Sequence, residues 1–118
     1  TRSRRLVPIS DNLAAWLTPH ARKSGSVWPH GHDYLYESQR AVARKAGVKW
    51  KQNALRHSFI SYRMAMVRDA NQVALEAGNS PDIIFRNYLE LVTQTQARNW
   101  FGVEPETKGK MISINSVG

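Results

Sequence analysis

Cysteine is missing from this chain altogether. Its absence excludes disulfides and thiolate metal sites, and fits an intracellular protein. Long apolar runs are missing too: 42% of the 118 residues are hydrophobic, yet none gather into the roughly 18-residue stretch that suggests a membrane span. A soluble protein is therefore expected. Thr1-Arg2-Ser3-Arg4-Arg5 has no long apolar segment behind it, so it does not read as a signal peptide; the chain reads as starting inside something longer. There is no internal repeat and no low-complexity segment. Acidic residues are scarce, with 9 Asp and Glu against 17 Lys and Arg.

That imbalance gives a formal charge of +8 and a pI near 10.3, which favours a polyanionic partner, double-stranded DNA first among them. The basic residues are spread over Arg2 to Arg5, Arg22-Lys23, Arg40 to Lys51, Arg56, Arg63 and Arg68. Such spacing suits a folded surface better than a disordered arm. A solvated surface with no partner is the bland alternative.

Local signals predict one short strand and then helices, in a domain of modest core. Arg5-Leu6-Val7-Pro8-Ile9 is β-like, with Pro8 arguing for an edge position. Ser10 or Asp11 can cap a helix carrying Leu13, Trp16 and Leu17 on one face, stopped by Pro19. Residues 20 to 32 read as a loop. A second helix is expected from Asp33 to Gly47 with Leu35, Val42, Ala43 and Ala46 inward. A third begins near Gln52, and its Leu55, Phe59, Tyr62 and Met66 recur at helical spacing as a core face. Asp69 and Gly78 bound a fourth around Val73, Ala74 and Ala77. Ser80-Pro81 opens a fifth containing Ile83, Ile84, Phe85 and Tyr88. Thr93 and Gln96 form a capping box for a sixth with Ala97, Trp100 and Phe101, ended by Gly102. Residues 104–118 are expected to be a loose tail, in which Met111-Ile112-Ser113-Ile114 could add a strand.

The third helix carries the chemistry. Asn53, Arg56 and His57 fall at i, i+3 and i+4, which predicts one shared face at the positive end of the helix dipole. Arginine suits an anion there, because its planar fork donates two parallel hydrogen bonds to phosphate oxygens and stays charged. The competing structural readings are an Arg56–carboxylate pair and, for His57, a buried hydrogen-bonded histidine.

Asn53-Ala54-Leu55-Arg56-His57-Ser58-Phe59, then Ala77-Gly78-Asn79-Ser80, then Tyr88 closely resemble the C-terminal boxes of phage-integrase-type tyrosine recombinases. Arg5-Leu6-Val7-Pro8-Ile9 is similar to that family's strand after the hairpin lysine. The resemblance covers about Thr1 to Phe101 and implies a domain over residues 1–103. It implies a mainly α fold with a small β element, the C-terminal part of a recombinase catalytic domain that breaks and rejoins DNA. It further implies that Tyr88 attacks the scissile phosphodiester, leaving a 3′-phosphotyrosyl link and a free 5′-hydroxyl, and that reversal joins a new strand in integration or excision. The phosphotyrosine conserves the bond energy, so no cofactor is implied. Arg56 would stabilise the charge that builds on the nonbridging oxygens, with Asn79 and Asn53 in the same site. Tyrosine needs help as a nucleophile, since its pKa is ordinarily near 10.

Asn53 and Asn79 stand where the family commonly has histidine, or histidine or tryptophan. An amide donates to phosphate but does not gain or lose a proton near neutrality. His57 matches a position that is usually structural. The family's first arginine and hairpin lysine fall upstream of the sequence, so the chain alone is expected not to cut DNA. Complete relatives act as tetramers on two duplexes; this chain alone is expected to be a monomer, intracellular and DNA-associated. Lys49 and Lys51 are candidate backbone contacts. Other readings are a non-catalytic DNA-binding module or degenerate recombinase, and a helical protein-interaction domain. A metal site at His20, His30, His32 or His57 is disfavoured, because no carboxylate or cysteine stands at ligand spacing. Trp16 and Trp100 sit on apolar faces and are expected in the core rather than stacked on bases.

Overall fold

Start and stop signals divide the chain much as local chemistry dictates. The computed structural model describes residues 4–89 and 91–106, and among these the regular elements are all helical. They are α1 (Asp11–Leu17), a 3₁₀ turn (Thr18–His20), α2 (His32–Lys45), α3 (Ala54–Val67), α4 (Ala70–Ala77), α5 (Pro81–Tyr88) and α6 (Gln94–Phe101). No helix is long and apolar enough to cross a membrane among these residues.

The capping chemistry is satisfied where side chains of the right type stand. The Asp69 carboxylate accepts from the Asn71 and Gln72 amides at 3.0 and 3.2 Å, opening α4. Gly78 closes α4 at φ 71°, a left-handed conformation that costs glycine nothing. Its N–H and that of Asn79 both donate to the Ala74 carbonyl. Ser80 accepts from the Ile83 amide and Pro81 occupies the first turn of α5. At α6, Thr93 and Gln96 exchange both bonds of a capping box. Ser10 precedes α1 but makes no cap bond; its hydroxyl donates to Asn12 Oδ1 instead.

The core lies between α3, α4 and α5. It comprises Ile60 and Met64 from α3, Ala70, Val73, Ala74 and Ala77 from α4, and Ile84 and Tyr88 from α5, with Phe59 and Val67 packed alongside. Helix α6 lies across α3 through a Tyr62–Trp100 ring stack, 4.8 Å between centroids. Helix α1 is tied to the end of α6, since Asn12 Nδ2 and Trp16 Nε1 both donate to the Val103 carbonyl.

Several expectations are corrected here. The β element at 5–9 does not form: residues 4–10 have no regular structure, because none of the described residues offers the ladder partner that a strand's amides and carbonyls require. The second expected strand, at 111–114, lies outside the described residues, as does most of the expected tail. The core face of α3 is turned from the one predicted. Ile60 and Met64 are buried, whereas Leu55 is 62% exposed, since α3 is apolar over more than one face and periodicity alone does not say which face the neighbours cover. Helix α2 buries only Ala43; Val42 and Ala46 are exposed and Leu35 is intermediate, as no other described helix packs broadly over that stripe. Trp16 is not a core residue either. It is about half exposed and lines an open apolar groove of about 870 Å³ with Leu13, Leu55, Phe59, Met66 and Trp100.

Candidate phosphate-binding site

The N-terminal turn of α3 faces the α4–α5 turn, and the sequence boxes meet there. Arg56 is exposed, and its Nη2 donates to Asn79 Oδ1 and to the Gly78 carbonyl at 3.5 Å. With Oδ1 so engaged, the Asn79 amide keeps its NH₂ donors for another partner. Among the described residues Arg56 makes no carboxylate pair of the kind the competing reading supposed: its bonds go to neutral acceptors.

One residue further along α3, His57 Nδ1 is hydrogen-bonded to the Tyr88 hydroxyl, and the two rings lie 5.8 Å apart and 24° from parallel. His57 is exposed rather than buried, so the structural alternative for it holds only for its hydrogen bond. Tyr88 is 7% exposed and belongs to the core. Which way the proton points depends on the imidazole tautomer: Nδ1 accepts from the phenol when it is unprotonated and donates when it carries hydrogen. Adjacent residues of one turn thus reach two different segments, Arg56 the α4–α5 turn and His57 the end of α5.

Asn53 stands just before α3 and not within its first turn. It lies in the left-handed region, at φ 56° and ψ 23°, and its side chain makes no cap bond. Its carbonyl accepts from the His57 amide at 2.9 Å, so its contribution among these residues is to the backbone. Asparagine tolerates this conformation better than most residues. Lys49 and Lys51 lie exposed in the loop before α3.

No protein-family model, curated protein or solved structure matches the chain.

The structure also brings in a residue that the sequence placed in a strand and gave no role in the site. Arg5 Nε donates to the Glu76 carbonyl at 3.0 Å, and its guanidinium lies so close to Gly78 that an added Cβ there would stand 2.7 Å from Nη1 and 2.9 Å from Cζ. No local signal separates Arg5 from its basic neighbours; only the tertiary contact does. The C-terminal carbonyls of α4 carry the negative end of its dipole, which favours cations in this place.

Beneath them lies an ion pair. Arg63 donates to both carboxylate oxygens of the buried Glu76, at 2.8 and 2.9 Å, and Gln72 Nε2 adds a bond at 3.1 Å. The Arg63 hydrogen bond holds the Glu76 carboxyl below the usual carboxylate range against the opposing effect of burial, with Gln72 and the Arg63 charge helping. The Arg63 guanidinium is raised by the same bond. The Glu76 charge is therefore committed to Arg63, which leaves Arg5 and Arg56 at the turn without its carboxylate.

His30, weighed above as a metal ligand, instead lies against Trp28 and Tyr34, with ring centroids 5.3 and 4.9 Å away. Among the described residues no group of three or more His, Cys, Asp or Glu could hold a metal ion.

Proposed function

We propose that this chain is the C-terminal part of a tyrosine recombinase catalytic domain, acting in DNA strand cleavage and rejoining, with Tyr88 as nucleophile and Arg56 as the phosphate-binding arginine. The observation that carries the reading is the meeting of separated sequence boxes: Arg56 bonds Gly78 and Asn79 while its neighbour His57 bonds Tyr88. A family motif retained by chance has no reason to assemble in this way. The basic balance of the chain supplies the attraction for a DNA backbone.

In this reading the Tyr88 oxygen forms a bond to phosphorus as the bond to the 5′-oxygen breaks. The phenolic proton leaves the tyrosine, and a proton is taken up by the departing 5′-oxygen. Among the described residues the Tyr88 hydroxyl bonds His57 Nδ1, which supports a role for His57 in holding or accepting that proton although the resemblance makes it structural. Arg56 and the Asn79 NH₂ group stabilise negative charge on the nonbridging oxygens.

A second reading, a DNA-binding module without cleavage, has its own observation. Tyr88 is 7% exposed and its ring belongs to the core, so it offers little surface to a phosphodiester. The test is a nicked DNA substrate offered to a complete parent protein that carries the family's upstream arginine and lysine. Tyr88→Phe should abolish the covalent protein–DNA adduct and spare DNA binding. An adduct that persists at another residue removes Tyr88 from the role, and a parent that binds DNA but forms no adduct favours the module.

A further inference from the structure

We propose that Arg5 is a second phosphate-contacting arginine, and that Arg5 and Arg56 grip one phosphate group between them across the Gly78 turn. The proposal rests on the phosphodiester reading above and gives a role in the site to Arg5, whose segment entered the resemblance only as a strand.

Two guanidinium groups from distant parts of the chain converge on one glycine. Arg5 lies against the Gly78 Cα, within the space a side chain would occupy, and Arg56 bonds the Gly78 carbonyl. Both arginines are exposed. Like charges held at one residue repel, and an arrangement of this kind is stabilised when an anion sits between them. Among the described hydrogen bonds and ion pairs, none joins either guanidinium to a carboxylate. The Glu76 carboxylate is held by Arg63, and the bonds of Arg5 and Arg56 go to the Glu76 carbonyl, the Gly78 carbonyl and Asn79 Oδ1.

Those neutral acceptors orient the two forks without neutralising them. Arg5 uses only Nε and Arg56 only Nη2, so each keeps further N–H donors for the planar two-point grip that guanidinium makes on a phosphate oxygen pair. The absence of a side chain at Gly78 is what lets Arg5 come this close. The ligand class is a phosphate oxyanion, and in the reading above its source is the DNA backbone.

The test compares wild type, Arg5→Gln, Arg56→Gln and the double variant for binding a short fluorescent duplex by anisotropy, at a temperature where all are folded. Each single change should weaken binding about tenfold, the loss of one charge-assisted contact. The double variant should lose clearly less than the product of the two, because both act on one phosphate. If Arg56→Gln weakens binding and Arg5→Gln does not, Arg5 is a structural residue and this proposal fails while the function above stands. If neither matters, the phosphodiester reading of the site fails with it. Losses that simply multiply refute the shared phosphate. Inorganic phosphate alone is the second arm: saturable binding that needs Arg5 while duplex binding does not would replace the DNA backbone by a free anion and overturn the proposal as stated. Should Arg5→Gln fail to fold, Arg5→Lys takes its place, keeping the charge and losing the fork, with a several-fold loss expected.

Discussion

Gly78→Ala should destabilise the protein by about 1.5 to 2 kcal/mol, and the sum can be assembled from its parts. Gly78 sits at φ 71°, where an L-residue costs about 1 to 2 kcal/mol. Alanine returns roughly 0.5 to 1 kcal/mol by restricting the unfolded chain. The new methyl would lie 2.7 Å from Arg5 Nη1 and 2.9 Å from its Cζ. A flexible arginine can swing away, but doing so gives up its 3.0 Å bond to the Glu76 carbonyl, a loss of about 1 kcal/mol. The assay is urea unfolding followed by helical circular dichroism, run for Gly78→Ala in the wild type and in an Arg5→Ala background. With Arg5 already truncated, only the backbone and unfolded-state contributions remain, so the cost should fall by about 1 kcal/mol, the coupling of the pair. Equal costs in the two backgrounds would show that Arg5 does not press on Gly78 in solution. A neutral Gly78→Ala would refute the left-handed closure of α4 itself.

Other expectations follow from the same turn and its surroundings. Because the folded Glu76 carboxyl is held below its ordinary range, chiefly by Arg63, its contribution to stability is present above the unfolded value and is lost as pH falls through the lower folded one; urea midpoints taken from neutrality into acid should trace this loss, and Glu76→Gln should flatten it. Asn53→Gly should leave stability unchanged or slightly improved while Asn53→Ala costs about 1 kcal/mol, a thermal-melt comparison that an equal cost for both would contradict. On the proposed function, Arg56→Ala in a parent that carries the upstream arginine and lysine should slow DNA cleavage by a factor on the order of a hundred, as loss of one transition-state donor does; an unchanged single-turnover rate would make Arg56 structural.

What was legible in the sequence was the punctuation. Asp69, Gly78, Ser80-Pro81 and the Thr93–Gln96 box mark their helix ends because each works through hydrogen bonds or backbone freedom within a few residues. Burial was less legible. In α3, Leu55, Phe59, Ile60, Tyr62, Met64, Met66 and Val67 wrap most of the helix, so the face that enters the core is chosen by α4 and α5 and not by the pattern. The same holds for Trp16, whose indole is apolar enough for a core yet lines a groove and bonds the Val103 carbonyl. The boxes around Arg56, Asn79 and Tyr88 could be picked out one by one. That Arg56 bonds Asn79 while His57 bonds Tyr88 could not, since those pairs are made only by packing α3 against α4 and α5. Arg5 carried a strand signal but none for a place in the site, because that place depends on an irregular segment crossing the end of α4.

Tyr88 joins the two halves of the problem, and it governs how the function must be tested. Its ring is part of the cluster that contains Ile60, Val73 and Ile84, while its hydroxyl meets an exposed histidine at the rim. Truncation to alanine removes both: an aromatic lost from a core costs about 3 to 5 kcal/mol, a large share of the 5 to 15 kcal/mol that domains commonly have. Lost activity in such a variant would say nothing about chemistry. Phenylalanine keeps the buried ring and removes one hydrogen bond, about 1 kcal/mol, and the abandoned partner is an imidazole that water can reach. The fold should therefore survive Tyr88→Phe, so that a missing adduct reports on the oxygen alone. Intact DNA binding by the same variant then separates a lost nucleophile from a damaged surface.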